Sequence, residues 1–367
     1  MAITFMLLGL LALILINVPI GVALAVVGAA GMYLSYGAMA LPNVALTMYD
    51  GATSFPLLAI PLFVFAGAIM NASSIARRLI DLASAMVGFI RGGLSLVTIG
   101  SSIFFAEISG SAVAGVAALG SVLIPAMRKR GYSREFSAAI SSSAASLAII
   151  LPPSIPMILY AVMAQESVVK MFIAGVFPGL LGALGLAFMA YFLARRNNYP
   201  VEDKFRLSRL ATAFKNAFWA LTIPVIVLGG IFGGFVTATE GAALAVVAAL
   251  IISGLIYREL NLGKLYRACL EGGVQTAVVM LLVAASALVG DYFTEAQLPQ
   301  QLAAGIEGIT TNTYAVLALL NVFFLILGMF LHSAAAIILV VPIVMPLIHA
   351  VGIDPVHFGL IVTLNLA

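Results

Sequence analysis

The sequence predicts an all-α polytopic membrane protein built from inverted repeats, with two re-entrant helical hairpins and broken transmembrane helices. Three observations predict it: a composition unsuited to water, a series of long apolar runs, and a recurrence at an offset of 221 residues whose copies differ in flanking charge. The 367 residues are 63% hydrophobic and 8% charged, with mean hydropathy +1.19. A soluble domain carries about 25% charged residues, so this chain lacks the polar groups to cover its surface. Lipid suits it.

A membrane helix needs about 20 mostly apolar residues. Such runs lie at Ile3–Tyr33, Pro56–Asn71, Phe136–Met163, Met171–Ala194, Phe218–Phe235, Gly241–Tyr257, Gly273–Gly290 and Tyr314–Leu331. The first is too long for a signal peptide and has no basic leader, since the first cation is Arg77. A single cysteine, Cys269, excludes a disulfide framework and a cysteine-based zinc site.

Lysine and arginine mark cytoplasmic loops in bacterial-type membrane proteins. Here they cluster at Arg77–Arg78, Arg91, Arg128–Arg134, Arg195–Lys215 and Arg258–Arg267, with none beyond residue 267. With these clusters inside, the N-terminus is cytoplasmic, Ile3–Tyr33 runs outward, a loop around Pro42 lies outside, and Pro56–Asn71 returns to Arg77. Residues 92–127 have basic ends on one side and a polar centre, Glu107-Ile108-Ser109-Gly110-Ser111. Each arm of about 15 residues spans roughly 22 Å, short of a bilayer core of about 30 Å. That predicts a re-entrant hairpin, the alternative being two short spans. Residues 136–163 then cross outward, broken at Leu151-Pro152-Pro153-Ser154, and Met171–Ala194 returns. The polar stretch 197–216 is expected to be a cytoplasmic linker with an interfacial helix. It separates a first repeat, 1–196, from a second, 217–367.

Pro125 and Pro346 are 221 residues apart, as are Gly131 and Gly352. The second copy has no flanking cations, so its hairpin, about 317–350, is expected to open outward. Inverted-topology repeats with broken helices are a secondary-transporter architecture, with the site near the midplane. The counterpart of Pro152–Pro153 would fall near 373–374, so the second repeat is expected to be C-terminally incomplete and a protein ending at Ala367 not to transport.

A proline pair inside a span removes two N–H donors and frees carbonyls that suit a hard cation. With the Ser109-Gly110-Ser111 tip, the broken helix would make an uncharged oxygen cage fit for Na⁺. The plain alternative for Pro152–Pro153 is a kink. Glu107 is a candidate ion or proton site that could equally reach water. Glu240 follows Thr237-Ala238-Thr239 and reads best as a helix-terminal carboxylate. His332, beside Ser333 at the second tip, and Asn365 are the substrate candidates, though a lone histidine more often has a local hydrogen-bonding role. Neither a Walker A sequence nor a metal-ligand cluster is present, and the arginines are not a nucleic-acid footprint. No cofactor and no catalysis are expected.

Five segments carry a family resemblance. They are Ile108-Ser-Gly-Ser-Ala-Val-Ala, Ala118-Leu-Gly-Ser-Val-Leu-Ile-Pro-Ala-Met-Arg-Lys-Arg-Gly-Tyr and Leu151-Pro-Pro-Ser-Ile-Pro-Met, then Phe235-Val-Thr-Ala-Thr-Glu-Gly-Ala-Ala and Gly352-Ile-Asp-Pro-Val-His-Phe-Gly. In that order they resemble the large membrane subunit of tripartite ATP-independent periplasmic (TRAP) transporters. The resemblance implies an elevator-type subunit in the bacterial inner membrane, working with a small four-helix membrane subunit and a periplasmic substrate-binding protein. It implies Na⁺-coupled uptake of an organic acid such as a C4-dicarboxylate or sialic acid. It places a first sodium site at Ser109, Gly110 and Ser111 with backbone oxygens of Ala148, Leu151 and Pro153. This chain has Ala148 where the family usually has glycine, and His332 where an acidic residue is common. The alternative is a self-contained ion-coupled carboxylate carrier of related hairpin architecture.

Overall fold

The computed structural model describes residues 2–109, 112–201, 205–307, 310, 312–329 and 331–367, and it is helical almost throughout. In chain order the helices are α1 (Ala2–Leu15), α2 (Ile20–Tyr36), α3 (Leu41–Ala52), α4 (Ala59–Ala72), α5 (Ile75–Val87), α6 (Gly93–Ser109), α7 (Ala112–Lys129), α8 (Arg134–Ala145) and α9 (Leu147–Ile150). They continue with α10 (Ile155–Met163), α11 (Val168–Arg196), α12 (Leu207–Phe232), α13 (Ala238–Leu250), α14 (Leu262–Glu295), α15 (Leu298–Glu307), α16 (Thr313–Gly328), α17 (Ser333–Ala350) and α18 (Pro355–Asn365). Among the described residues, eight helical stretches are long and apolar enough to cross a membrane. The protein is a multi-pass α-helical membrane protein.

Three expectations are corrected. The run Ile3–Tyr33 is two helices, not one crossing. Asn17 takes the left-handed conformation (φ 65°), and the Val18 N–H reaches back to the Leu13 carbonyl at 3.0 Å, a left-handed helix stop. Pro19 cannot continue the ladder. The chain then folds back, bringing Met6 beside Gly31, so a cytoplasmic N-terminus no longer follows from counting crossings. Pro42 lies not in a loop but in the first turn of α3, where its missing N–H costs nothing. Residues 207–216 are the first turns of α12 rather than a separate interfacial helix.

The chain forms two compact units. One comprises residues 1–58, 158–171 and 274–366. In it α2 lies close against α14, because Gly21 and Gly28 leave room for Leu281 and Leu288; small residues let membrane helices approach. Helices α16 and α17 run antiparallel, their outer ends tied by the Thr313 hydroxyl donating to the Val351 carbonyl (3.3 Å). Tyr160 of α10 is fully buried, donates to the Pro355 carbonyl at 2.6 Å and packs on Gly359.

The other unit comprises residues 59–157 and 172–273 with Ala367. Its centre is α6, which packs on α5, α7 and α8. Helices α6 and α7 are antiparallel: Thr98 meets Met127 near their outer ends (3.8 Å), and Phe105 packs with Leu119 and Leu123 nearer the tip. The arms have 17 and 18 residues, about 26 Å each, longer than expected. Arg78 ties the start of α5 to the segment before α14. Its guanidinium lies 3.1 Å from Glu259, donates to the Ser74 hydroxyl at 2.8 Å and stacks 3.9 Å over the Tyr257 ring.

The 221-residue recurrence extends to element boundaries. Helices α7 and α17 start and end 221 residues apart. The glycines that follow, Gly131 (φ 85°) and Gly352 (φ 71°), share the left-handed conformation. Ser133 and Asp354, again 221 apart, each cap the next helix by accepting from the backbone N–H three residues on.

Candidate functional site

The stretch 134–163 breaks where expected. Leu151 is extended (φ −78°, ψ 132°), the conformation that a following proline favours, and the Pro152–Pro153 bond is cis. Pro152 and Pro153 have no N–H to return to the Ala148 and Ile149 carbonyls four residues back. Ser154 compensates at one of them. Its buried hydroxyl donates to the Ile149 carbonyl at 2.5 Å and accepts from the Met157 N–H at 3.4 Å, closing α9 and capping α10 with one side chain. The Ala148 carbonyl gets no such substitute from the proline pair. Every residue from Leu147 to Tyr160 is buried, and none carries a charge. Backbone oxygens in a dry, neutral setting suit a hard monovalent cation better than a divalent one, whose charge calls for carboxylates.

Glycines of α11 let the break sit close. A Cβ on Gly175 would stand 2.8 Å from the Ile150 carbonyl oxygen, and one on Gly179 2.6 Å from Leu151. The inner part of the first hairpin packs on the same segment: Ala106 lies in one cluster with Ala144, Ala148 and Leu151, and Gly115 faces Ala145. The structure thus brings the near-tip residues of α6 and α7 to the helix break. Ser109 is the last residue of α6; Gly110 and Ser111 lie outside the described residues, as do the side chains of Glu107 and Ser109. Ala148, Leu151 and Pro153 are buried at the break. Sequence reasoning passed over Ser154, Gly175 and Gly179. The four-residue spacing of Gly175 and Gly179 was the available signal for the last two.

At the second tip, His332 caps α17, its Nδ1 accepting from the Ala334 N–H at 3.3 Å, and Ser333 is buried beside it. Asn365 ends α18 and approaches Gly328, whose Cβ would stand 3.0 Å from the Asn365 carbonyl. The Asn365 side-chain Nδ2 is buried with no partner among the described residues. Glu240 forms a reciprocal capping box with Thr237: its carboxylate accepts from the Thr237 N–H (2.7 Å), and Thr237 accepts from the Glu240 N–H (3.3 Å). It is a helix-terminal carboxylate, as its position suggested. No group of three or more His, Cys, Asp or Glu that could hold a metal occurs among the described residues.

Residues 7–367 match the family described as tripartite ATP-independent periplasmic transporter, DctM component. The chain belongs to the TRAP transporter large permease family. It is therefore a multi-pass inner-membrane protein of a transporter family, not an enzyme family. It is 42% identical over 355 residues to an isethionate TRAP transporter permease, DctMQ, of Oleidesulfovibrio alaskensis, covering 96% of this chain and 56% of that protein. It is 38% identical to the C4-dicarboxylate TRAP transporter large permease DctM of Pseudomonas aeruginosa, covering 88% of this chain and 76% of the other. The chain thus spans little more than half of the first relative's length and about three quarters of the second's. The fold resembles the Alcanivorax borkumensis YdaH transporter, with TM-score 0.63 at 15% identity over 90% of this TRAP permease and 77% of that chain.

Proposed function

We propose that the chain is the transport-carrying subunit of a sodium-coupled, binding-protein-dependent importer of an organic acid, such as a C4-dicarboxylate, sialic acid or a similar carboxylate. The observation that carries this reading is the break at Leu151–Ser154, where a neutral, buried helix end meets the inner part of the first hairpin. In the proposal Na⁺ takes the oxygens of Ala148, Leu151 and Pro153 with Ser109, Gly110 and Ser111. The substrate lies near His332, Ser333 and Asn365. Residues 1–196 and 217–367 are inverted repeats joined by a cytoplasmic linker, the hairpins are re-entrant, and the carrier works by an elevator motion. The 221-residue correspondence of α7 with α17 supports two related halves, and the one-sided distribution of lysine and arginine supports their opposite orientation. A small four-helix membrane subunit and a periplasmic binding protein complete the assembly.

Uptake into proteoliposomes by the permease with its small subunit and binding protein, with and without a Na⁺ gradient, tests this. Accumulation should need both Na⁺ and the binding protein. Accumulation without the soluble protein would favour a self-contained carrier; uptake indifferent to Na⁺ would remove the proposed ion site.

A further inference from the structure

The outer end of the first hairpin gathers cations from three stretches of sequence. Arg91 precedes α6, Arg128 and Lys129 end α7, Arg134 starts α8, and Arg195 and Arg196 end α11; all six are exposed. The fold itself brings them together. Arg91 pairs with Val201 in an isolated antiparallel bridge, and the Gly92 N–H donates to the Pro200 carbonyl at 3.3 Å. Gly92 also lies against Ala194, where a side chain would collide.

Tyr199 is the keystone. Buried, it stacks on Tyr132 with ring centroids 4.2 Å apart, lies 5.2 Å from the Phe136 ring, and accepts from the Ser133 N–H through its hydroxyl at 3.3 Å. Among the described residues of 88–96, 127–136 and 194–201, Glu135 is the one carboxylate. Those stretches carry seven cations against that one carboxylate, and Glu202 and Asp203 follow next in the sequence.

What adjoins the cations decides the partner. On α11, Phe188 and Phe192 are 72% and 54% exposed, two turns and one turn before Arg195 and Arg196 respectively. An apolar aromatic face running directly into a cationic rim matches an acyl chain with its headgroup; a dissolved anion would have no use for the aromatic part. Each cation near an anionic leaflet also adds attraction.

We propose that this surface binds the headgroups of anionic phospholipids, with their chains against Phe188 and Phe192, so that the outer end of the first hairpin meets the cytoplasmic headgroup layer. The inference is independent of the transported substrate and of sodium coupling. The test is the ratio of phosphatidylglycerol to phosphatidylcholine retained by the purified full chain from an equimolar mixture, read by native mass spectrometry. The double variant Arg195→Gln/Arg196→Gln should lower that ratio roughly tenfold. Tyr199→Ala, which alters no charge, should lower it several-fold, and Tyr199→Phe should not. Arg258→Gln/Arg267→Gln, matched in charge but elsewhere, should leave it unchanged. An equal loss in that control would overturn the proposal, as would loss of the preference on adding inorganic phosphate. If Tyr199→Ala does not fold, Arg91→Gln/Arg134→Gln serves in its place, and an unchanged ratio there would sink the idea.

Discussion

Ser154 and Ile149 face each other across the fractured helix, the serine hydroxyl supplying the carbonyl with the donor that Pro153 cannot. The pair lies in a fully buried segment, so neither group can turn to water. Ser154→Ala should strand both the Ile149 carbonyl and the Met157 N–H, at a cost of about 1–3 kcal/mol. Thermal unfolding in detergent reads this directly. A stability equal to wild type would mean that the hydroxyl does not bridge the break.

Gly175 and Gly179 differ in what they face. An added methyl at Gly175 meets the Ile150 main-chain oxygen at 2.8 Å as well as the end of the Met157 side chain, whereas at Gly179 it meets only side-chain atoms, the Leu151 end at 2.6 Å. Side-chain ends move more easily than backbone. Gly175→Ala should therefore destabilise by roughly 1–3 kcal/mol and Gly179→Ala by less. Parallel melting curves check the order.

The Arg78–Glu259 pair makes a pH prediction. Partial burial pushes the Glu259 carboxyl up, but hydrogen bonds from Ser74 and Arg78, with the guanidinium charge, outweigh it and hold the group below its ordinary value of 4.5. A depressed folded value means stabilisation that is complete above the unfolded pKa and lost as pH falls through the folded one. Because both side chains are over a quarter exposed, the effect should be on the order of 1 kcal/mol. The acid slope of melting temperature should flatten in Glu259→Gln. An identical slope would show that the carboxylate gains nothing from its partners.

For Glu240 the capping box predicts a structural loss and nothing else. Glu240→Gln should lower stability by about 1 kcal/mol or less while leaving the Na⁺ dependence of uptake unaltered. A changed sodium response would return Glu240 to the ion pathway.

Gly359 sits where a side chain would collide with the Tyr160 ring. Gly359→Ala should displace that ring, break its hydrogen bond to Pro355 and cost about 1–3 kcal/mol. Loss of stability in Tyr160→Phe, smaller than in Gly359→Ala, would support this reading.

Much of the fold was legible because its signals are local. The break at Leu151–Ser154 follows from two missing donors, the Thr237–Glu240 cap from residue spacing, and the paired hairpin boundaries from Pro125 with Pro346 and Gly131 with Gly352. The turn at Asn17–Pro19 was missed because hydropathy runs through it unchanged. What stops that helix is the left-handed backbone of Asn17, a conformation and not a composition. The polar residues 207–216 misled in the opposite sense, since polarity marks where a helix leaves the lipid and not where it begins. The roles of Gly175 and Gly179 depend on α11 lying against the break, a tertiary fact invisible to any one segment.

The glycine spacing on α11 carries one more consequence. With only hydrogens at 175 and 179, α11 comes directly against the Ile150 main-chain oxygen and the Met157 and Leu151 side chains. The seating of the fracture is thus set by two side chains that α11 lacks, and a substitution there would shift the break without altering any residue of it.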